Sequence, residues 1–126
     1  MLGSNEAMAT IAVKDIVKAK TFYGHKLGLK LAGEEGEHGV LTYHSGSSTI
    51  VVYESEFAGS NKATSATWSV GDEFESIVNS LKDAGVPFEH YDMPGLRRQG
   101  DIHFVDGFRG AWFKDPDGNI LHINSM

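Results

Sequence analysis

Along the first stretch of the chain, Ala9, Ile11 and Val13 alternate with Met8, Thr10 and Ala12, which predicts a strand with one more apolar face. Asp15 follows at the position of a helix N-cap, where its carboxylate can accept a backbone N–H of the first turn. Ala19, Phe22, Tyr23 and Leu27 then share one helical face, with Lys18, Lys20 and Lys26 off it, and Gly28 supplies a terminator. Three short strands come next: one opening at Leu29 to Leu31, one from Val40 to His44, and one from Thr49 to Glu54. A charged turn from Gly33 to Glu37 and the turn Ser45-Gly46-Ser47 separate them, so the order is βαβββ.

The pattern then starts again. Ala66, Trp68 and Val70 alternate with Ser65, Thr67 and Ser69, and Asp72 is placed to cap a helix whose apolar face is Phe74, Ile77, Val78 and Leu81. Gly85 ends that helix and Val86 to Tyr91 reads as a strand. Val13 and Val70, Asp15 and Asp72, and Gly28 and Gly85 each lie 57 apart, which marks an internal repeat. The first module is expected over residues 7–56, a linker over 57–63 and the second module over 64–126, all within one compact domain. The second copy is longer in its middle. Pro94 to Arg98 reads as a loop there, and Asp101 to Val105 as an extra strand. The chain closes on a hairpin from Ala111 to Ile123, in which Asp115-Pro116-Asp117-Gly118 forms the turn.

The expected class is therefore α+β: two tandem βαβββ modules with curled mixed sheets and helices outside. A length of 126 residues buries about 65–70% of the unfolded surface, enough to need no staple. The chain has no cysteine, which removes disulfides, thiolate metal sites and a cysteine nucleophile. A net charge of −6 argues against nucleic acid as a partner, and no apolar run is long enough to span a membrane. Met1 to Glu6 lack the basic start and apolar stretch of a secretory leader, so the cytoplasm is the expected compartment. Nucleophile elbows, phosphate loops and dinucleotide fingerprints are absent.

Val13-Lys14-Asp15, Phe22-Tyr23 before Leu27-Gly28-Leu29, and Asp115-Pro116-Asp117-Gly118-Asn119 before a terminal strand together carry a resemblance. From about Met8 to its end the chain resembles the vicinal oxygen chelate superfamily, which holds glyoxalase I, bleomycin-resistance proteins and extradiol dioxygenases. Within it, Ala111 to Lys114 and Phe57 to Asn61 look like small, largely uncharacterised bacterial members. The resemblance implies a half-open barrel per module, a cavity within, and a homodimer; the modules could pair within one chain or across two.

Metal-dependent members place ligands at positions that here hold Met8, Val51, Ser65 and His122. Only His122 is a good ligand for a borderline divalent metal, so no metal is expected, and with it goes the direct inference of lyase, isomerase or dioxygenase chemistry. A different metal set could draw on His44, Glu54, His90, Asp101, His103 or His122, but none shows ligand spacing, and Asp101 with His103 reads as exposed polar surface. His25 and His38 read as solvent-facing. Strand parity puts Met8, Thr10, Tyr53, Ser65, Thr67 and Ser69 on the cavity side with His122, where Trp112 adds a stacking face. Arg97 and Arg98 could close over an anionic group. The expected function is the binding of a small organic molecule, by sequestration or by acid–base chemistry centred on His122. The alternatives are a metal-dependent lyase or isomerase of glyoxalase type, a dioxygenase-like enzyme, or a dimeric scaffold with no ligand.

Overall fold

A computed structural model describes residues 1–33 and 39–126; the expected turn from Glu34 onward and His38 lie outside the described residues. The chain divides into two units, Met1–Ser60 and Asn61–Met126, each built around its own mixed sheet. Neither sheet is closed, and the class is α+β.

In the first unit, β1 (Ala9–Val13) leads into α1 (Ile16–Lys20), followed by β2 (Lys30–Leu31), β3 (Val40–Ser45) and β4 (Ser48–Glu54). Asp15 caps α1 as its sequence position requires: Oδ1 accepts the N–H groups of Val17 at 2.9 Å and Lys18 at 3.2 Å. The helix widens into a π-helical turn over Thr21–Lys26, which sets Phe22 and Tyr23 side by side in the core. The sheet order is β1-β4-β3-β2, with β1 parallel to β4 and the other pairs antiparallel. Ile11, Val13, Leu41, Tyr43, Ile50 and Val52 form its buried side, and Tyr43 lies 6.3 Å from the Tyr23 ring.

The second unit runs β5 (Thr64–Ser69), α2 (Phe74–Asp83), β6 (Phe88–Glu89), β7 (Arg97–Gln99), β8 (Ile102–Val105), β9 (Phe108–Lys114) and β10 (Ile120–Asn124). Its order is β5-β10-β9-β8-β7, with β6 also pairing with β9. Arg97 and Arg98, expected in the loop from Pro94 to Arg98, instead open a strand, Arg97–Gln99, because this segment pairs antiparallel with β8. β8 and β9 join through Asp106 and Gly107, at φ 38° and 87°, the positive values a two-residue hairpin turn demands. The strand expected over Val86 to Tyr91 shrinks to two residues.

Asp72 does not cap α2. A 3₁₀ turn at Gly71–Glu73 intervenes, and the helix starts after Glu73 with no side-chain cap. Its end follows the sequence: Gly85, at φ 79°, donates to Lys82 O while Val86 N–H reaches Leu81 O.

The β9–β10 turn is held by one buried carboxylate. Asp115 Oδ1 accepts from Asp117 N–H at 3.0 Å and Asn119 N–H at 2.9 Å, and Oδ2 accepts from Asn119 Nδ2 at 2.8 Å. The backbone closes the same turn, with Asp115 N–H on Asn119 O and Gly118 N–H on Asp115 O, each at 3.0 Å. Asp115→Ala orphans three donors, two of them main-chain, and is expected to cost about 2–4 kcal/mol. Asp15→Ala, which removes an exposed cap, is expected to cost about 1 kcal/mol. Urea unfolding of both variants at unchanged m-value checks this order. Equal, small shifts in midpoint would show that the turn carries no special weight.

Candidate functional site

The β10 strand lies inside the second sheet, between β5 and β9, and is buried along its whole length. Its register opposes Leu121 to Phe113 and Ile123 to Ala111 on one side of the sheet. That side faces α2, because the Arg109 guanidinium, two residues before Ala111, sits 5.2 Å over the Phe74 ring. His122 opposite Trp112, and Asn124 opposite Gly110, therefore point the other way.

On that face the rings form one cluster. Trp112 and His122 stack at 4.2 Å between centroids and 25° between planes. His103 meets the Trp112 ring edge-on at 4.9 Å, and Tyr91 meets it edge-on at 5.5 Å. The stack needs a glycine beside it: a Cβ on Gly110 would lie 2.8 Å from His122 Cε1.

Main-chain contacts fix both imidazoles. A carbonyl can only accept, so the 3.1 Å contact between His122 Nδ1 and Ala111 O makes Nδ1 the protonated nitrogen. Tyr91 N–H donates to His103 Nε2 at 2.9 Å, which puts the proton of that ring on Nδ1. Burial pushes both histidines below their ordinary pKa. The Ala111 carbonyl partly offsets this at His122, and the Gly110 carbonyl does so at His103, although His103 Nδ1 makes no hydrogen bond.

The residues singled out in the sequence distribute as follows. Thr67 is exposed and in register with His122, on the same face. Ser65 lies half-buried at an irregularity, where the pairing jumps from Ile120–Thr64 to Leu121–Ala66, so parity does not carry across it. Arg98 is on the His122 face, in register with His103; its guanidinium donates to Gly100 O at 2.8 Å and stands 3.7 Å from Asp92. Arg97 points to the other side, 4.9 Å over Phe104, so the two arginines do not form one clamp. Met8, Thr10 and Tyr53 belong to the first unit. Met8 is 57% exposed, Thr10 is exposed in register with Val51, and Tyr53 is half-buried.

Sequence reasoning missed Tyr91, Asn124 and Gly110, and it read His103, named there as a candidate, as exposed polar surface. His103 is fully buried, not exposed surface, because it packs against Trp112 and Tyr91; Asp101 is in the turn before β8, paired with His90 at 2.7 Å and Lys82 at 2.8 Å. The Gly110–His122 approach has no local signal, since it joins two strands. A groove of about 590 Å³ runs past Arg97, Phe104, Asp106, Phe108 and Arg109 at the β8–β9 hairpin. Arg97, Phe104 and Arg109 form a row on the α2 side, away from the ring cluster, and Arg109 is spent on Glu75 at 2.6 Å.

The residues at the resemblance's ligand positions do not fit a divalent centre. In the first unit they are a thioether and an aliphatic side chain, Met8 and Val51; in the second they are Ser65 and one imidazole. Among the described residues no group of three or more His, Asp or Glu side chains comes together. Among the described residues no helix is long and apolar enough to cross a membrane.

With this geometry in view, comparisons place the chain among known proteins. No curated protein matches the sequence. Among solved structures, an antibiotic binding protein from a Streptomyces species is 23% identical over 98% of this chain and 97% of its own, with a TM-score of 0.67. An integron cassette protein from the mobile metagenome of Halifax Harbour Sewage Outfall is 18% identical, over 98% and 99%, at 0.71. A glyoxalase/bleomycin resistance protein/dioxygenase from Alicyclobacillus acidocaldarius is 22% identical, over 98% and 93%, at 0.69. These likenesses show a shared fold. The family model matches residues 7–123, and the chain belongs to the Glyoxalase/Bleomycin resistance protein/Dioxygenase superfamily.

Proposed function

We propose that this chain binds a small organic molecule against the Trp112–His122 face of its second sheet, without a resident metal. The observation that carries the reading is the stack itself: a half-buried indole backed by an imidazole whose Nδ1 is spent on a main-chain carbonyl. Aromatic surface with a few fixed polar atoms is what a small-molecule site requires. The donor set supports the metal-free part, since one imidazole cannot supply the three ligands of a catalytic divalent centre. The printed description of the Streptomyces neighbour, an antibiotic binding protein, is in keeping with capture rather than turnover. Assembly as a homodimer and a cytoplasmic setting belong to the same proposal; light scattering after size exclusion tests the dimer.

Protein purified without chelators is expected to carry no stoichiometric Ni²⁺, Zn²⁺ or Fe²⁺ and to bind none by calorimetry. Stoichiometric metal lost in His122→Ala would overturn the metal-free reading in favour of a glyoxalase-type enzyme. In a thermal-shift screen of aromatic compounds and antibiotics, hits are expected that vanish in Trp112→Ala. They are also expected to weaken at least tenfold in Gly110→Ala, whose methyl displaces the His122 ring at a stability cost of about 1–3 kcal/mol. An empty screen, or hits indifferent to Trp112→Ala, removes this face as the site.

The two depressed histidines also set a pH dependence. Each binds its proton more weakly in the folded state, so stability is full above the ordinary value of 6.5 and falls as pH drops below it. Asp101, whose carboxyl is held below 3.8 chiefly by the His90 and Lys82 contacts, adds a further loss only in stronger acid. Melting temperature is therefore expected to decline between pH 7 and about pH 5. The decline is expected to flatten in the double variant His103→Gln/His122→Gln. A flat wild-type profile over that range would show that neither ring resists protonation.

A further inference from the structure

We infer that the Trp112–His122 face selects an uncharged planar ligand bearing a hydroxyl or N–H donor, because the Ala111 carbonyl and Asn124 together hold His122 Nε2 as a hydrogen-bond acceptor. The inference rests on the reading of this face as a ligand site and adds the chemical class of what it takes.

Both neighbours of the imidazole point to the same tautomer. Ala111 O accepts the Nδ1 proton, which leaves Nε2 with its lone pair. The Asn124 amide is not free to turn, because its Oδ1 accepts Met126 N–H at 3.1 Å. Its Nδ2 group is thereby aimed at His122 Nε2, at 3.5 Å. A protonated His122 would set an N–H against that amide N–H₂, donor against donor. At 3.5 Å the Asn124 contact orients the lone pair without saturating it, since a good N–H···N bond closes to about 3 Å. A ligand donor can take the short position.

Among the ring nitrogens of the cluster, none competes for this role. His103 Nε2 is occupied by Tyr91 N–H, and the Trp112 indole can only donate. The cations of the same face have partners of unequal strength: Lys114 meets Glu89 at 2.7 Å, whereas Arg98 donates from Nη1 to the Gly100 carbonyl and stands 3.7 Å from Asp92, with no hydrogen bond at its Nε. An anionic ligand would turn its own lone pairs toward that of Nε2. A phenol, or a heteroaromatic N–H, matches both the flat ring surface and the acceptor. Asn124 is a positioning residue in this scheme.

Three matched probes test it: 2-naphthol, its methyl ether 2-methoxynaphthalene, and 2-naphthoate, each titrated into ¹⁵N-labelled protein while the Trp112 indole resonance is followed. The naphthol is expected to bind about tenfold more tightly than the ether, the worth of one hydrogen bond, and the naphthoate more weakly still. Long-range ¹H–¹⁵N spectra are expected to show the Nδ1–H tautomer at His122, with the Nε2 resonance moving when naphthol binds. Asn124→Asp keeps an acceptor for Met126 N–H but faces Nε2 with a carboxylate, which favours the imidazolium. That variant is expected to lose the preference for naphthol over its ether and to show a protonated His122 spectrum. Equal affinity of naphthol and ether at Trp112 would overturn the donor rule while leaving the ligand site in place. An Nε2–H tautomer in the wild type would overturn it at its origin. If no probe moves Trp112, both the rule and the site fall.

Discussion

The Asp115 carboxylate is the constraint from which the candidate site follows. It gathers two main-chain N–H groups and the Asn119 amide inside a turn only a few residues long. Closing that turn sets the register of β9 against β10, and a slip of one residue would turn every side chain of one strand to the opposite face. With the register as it is, Trp112 stands opposite His122 and Gly110 opposite Asn124. The ring cluster, the glycine that admits it and the amide that orients it are consequences of one pairing. A carboxylate in so buried a place is tolerated because its partners meet it with donors from three directions.

Much of this was legible in the chain. Asp-Pro-Asp-Gly marks a turn by local backbone chemistry alone, and Asp15, Gly28 and Gly85 act locally too, so their roles survive intact in the structure. The repeat of 57 was also readable, yet it misled at Asp72, because Gly71–Glu73 winds into a 3₁₀ turn and the helix begins past the aspartate. Arg97–Gln99 was missed since its strand character comes from pairing with β8, and the irregular register beside Ser65 cannot be seen in alternation. His103 shows the same limit from the other side. One polar residue on a strand gives no sign of whether a distant tryptophan and tyrosine will cover it.

Charge on the ring face is arranged so that little of it is unpaired. Glu89 meets Lys114, Arg98 faces Asp92, and the two histidines have pKa values lowered by burial. A buried surface of neutral rings with paired ions at its margin suits a ligand that brings no net charge, since an unpaired ion there would lose its hydration without compensation. The overall charge of −6 therefore says little about the ligand, because it is carried by side chains elsewhere.

The imidazole of His122 is not set in place by one contact alone. The ring lies so close to Gly110 that a methyl there would overlap Cε1, and its Nδ1 proton needs the Ala111 carbonyl as acceptor. A carboxylate in its place would turn lone pairs toward that carbonyl and leave the tryptophan face without its stacking partner. Gly110, Ala111, Trp112, His122 and Asn124 thus form a set in which each member presupposes the others. A carboxylate at position 122 would strip this face of its stack while still leaving Met8, Val51 and Ser65 unfit as ligands. The neutral acceptor proposed beside the aromatic plane therefore depends on several neighbouring residues of the sheet at once.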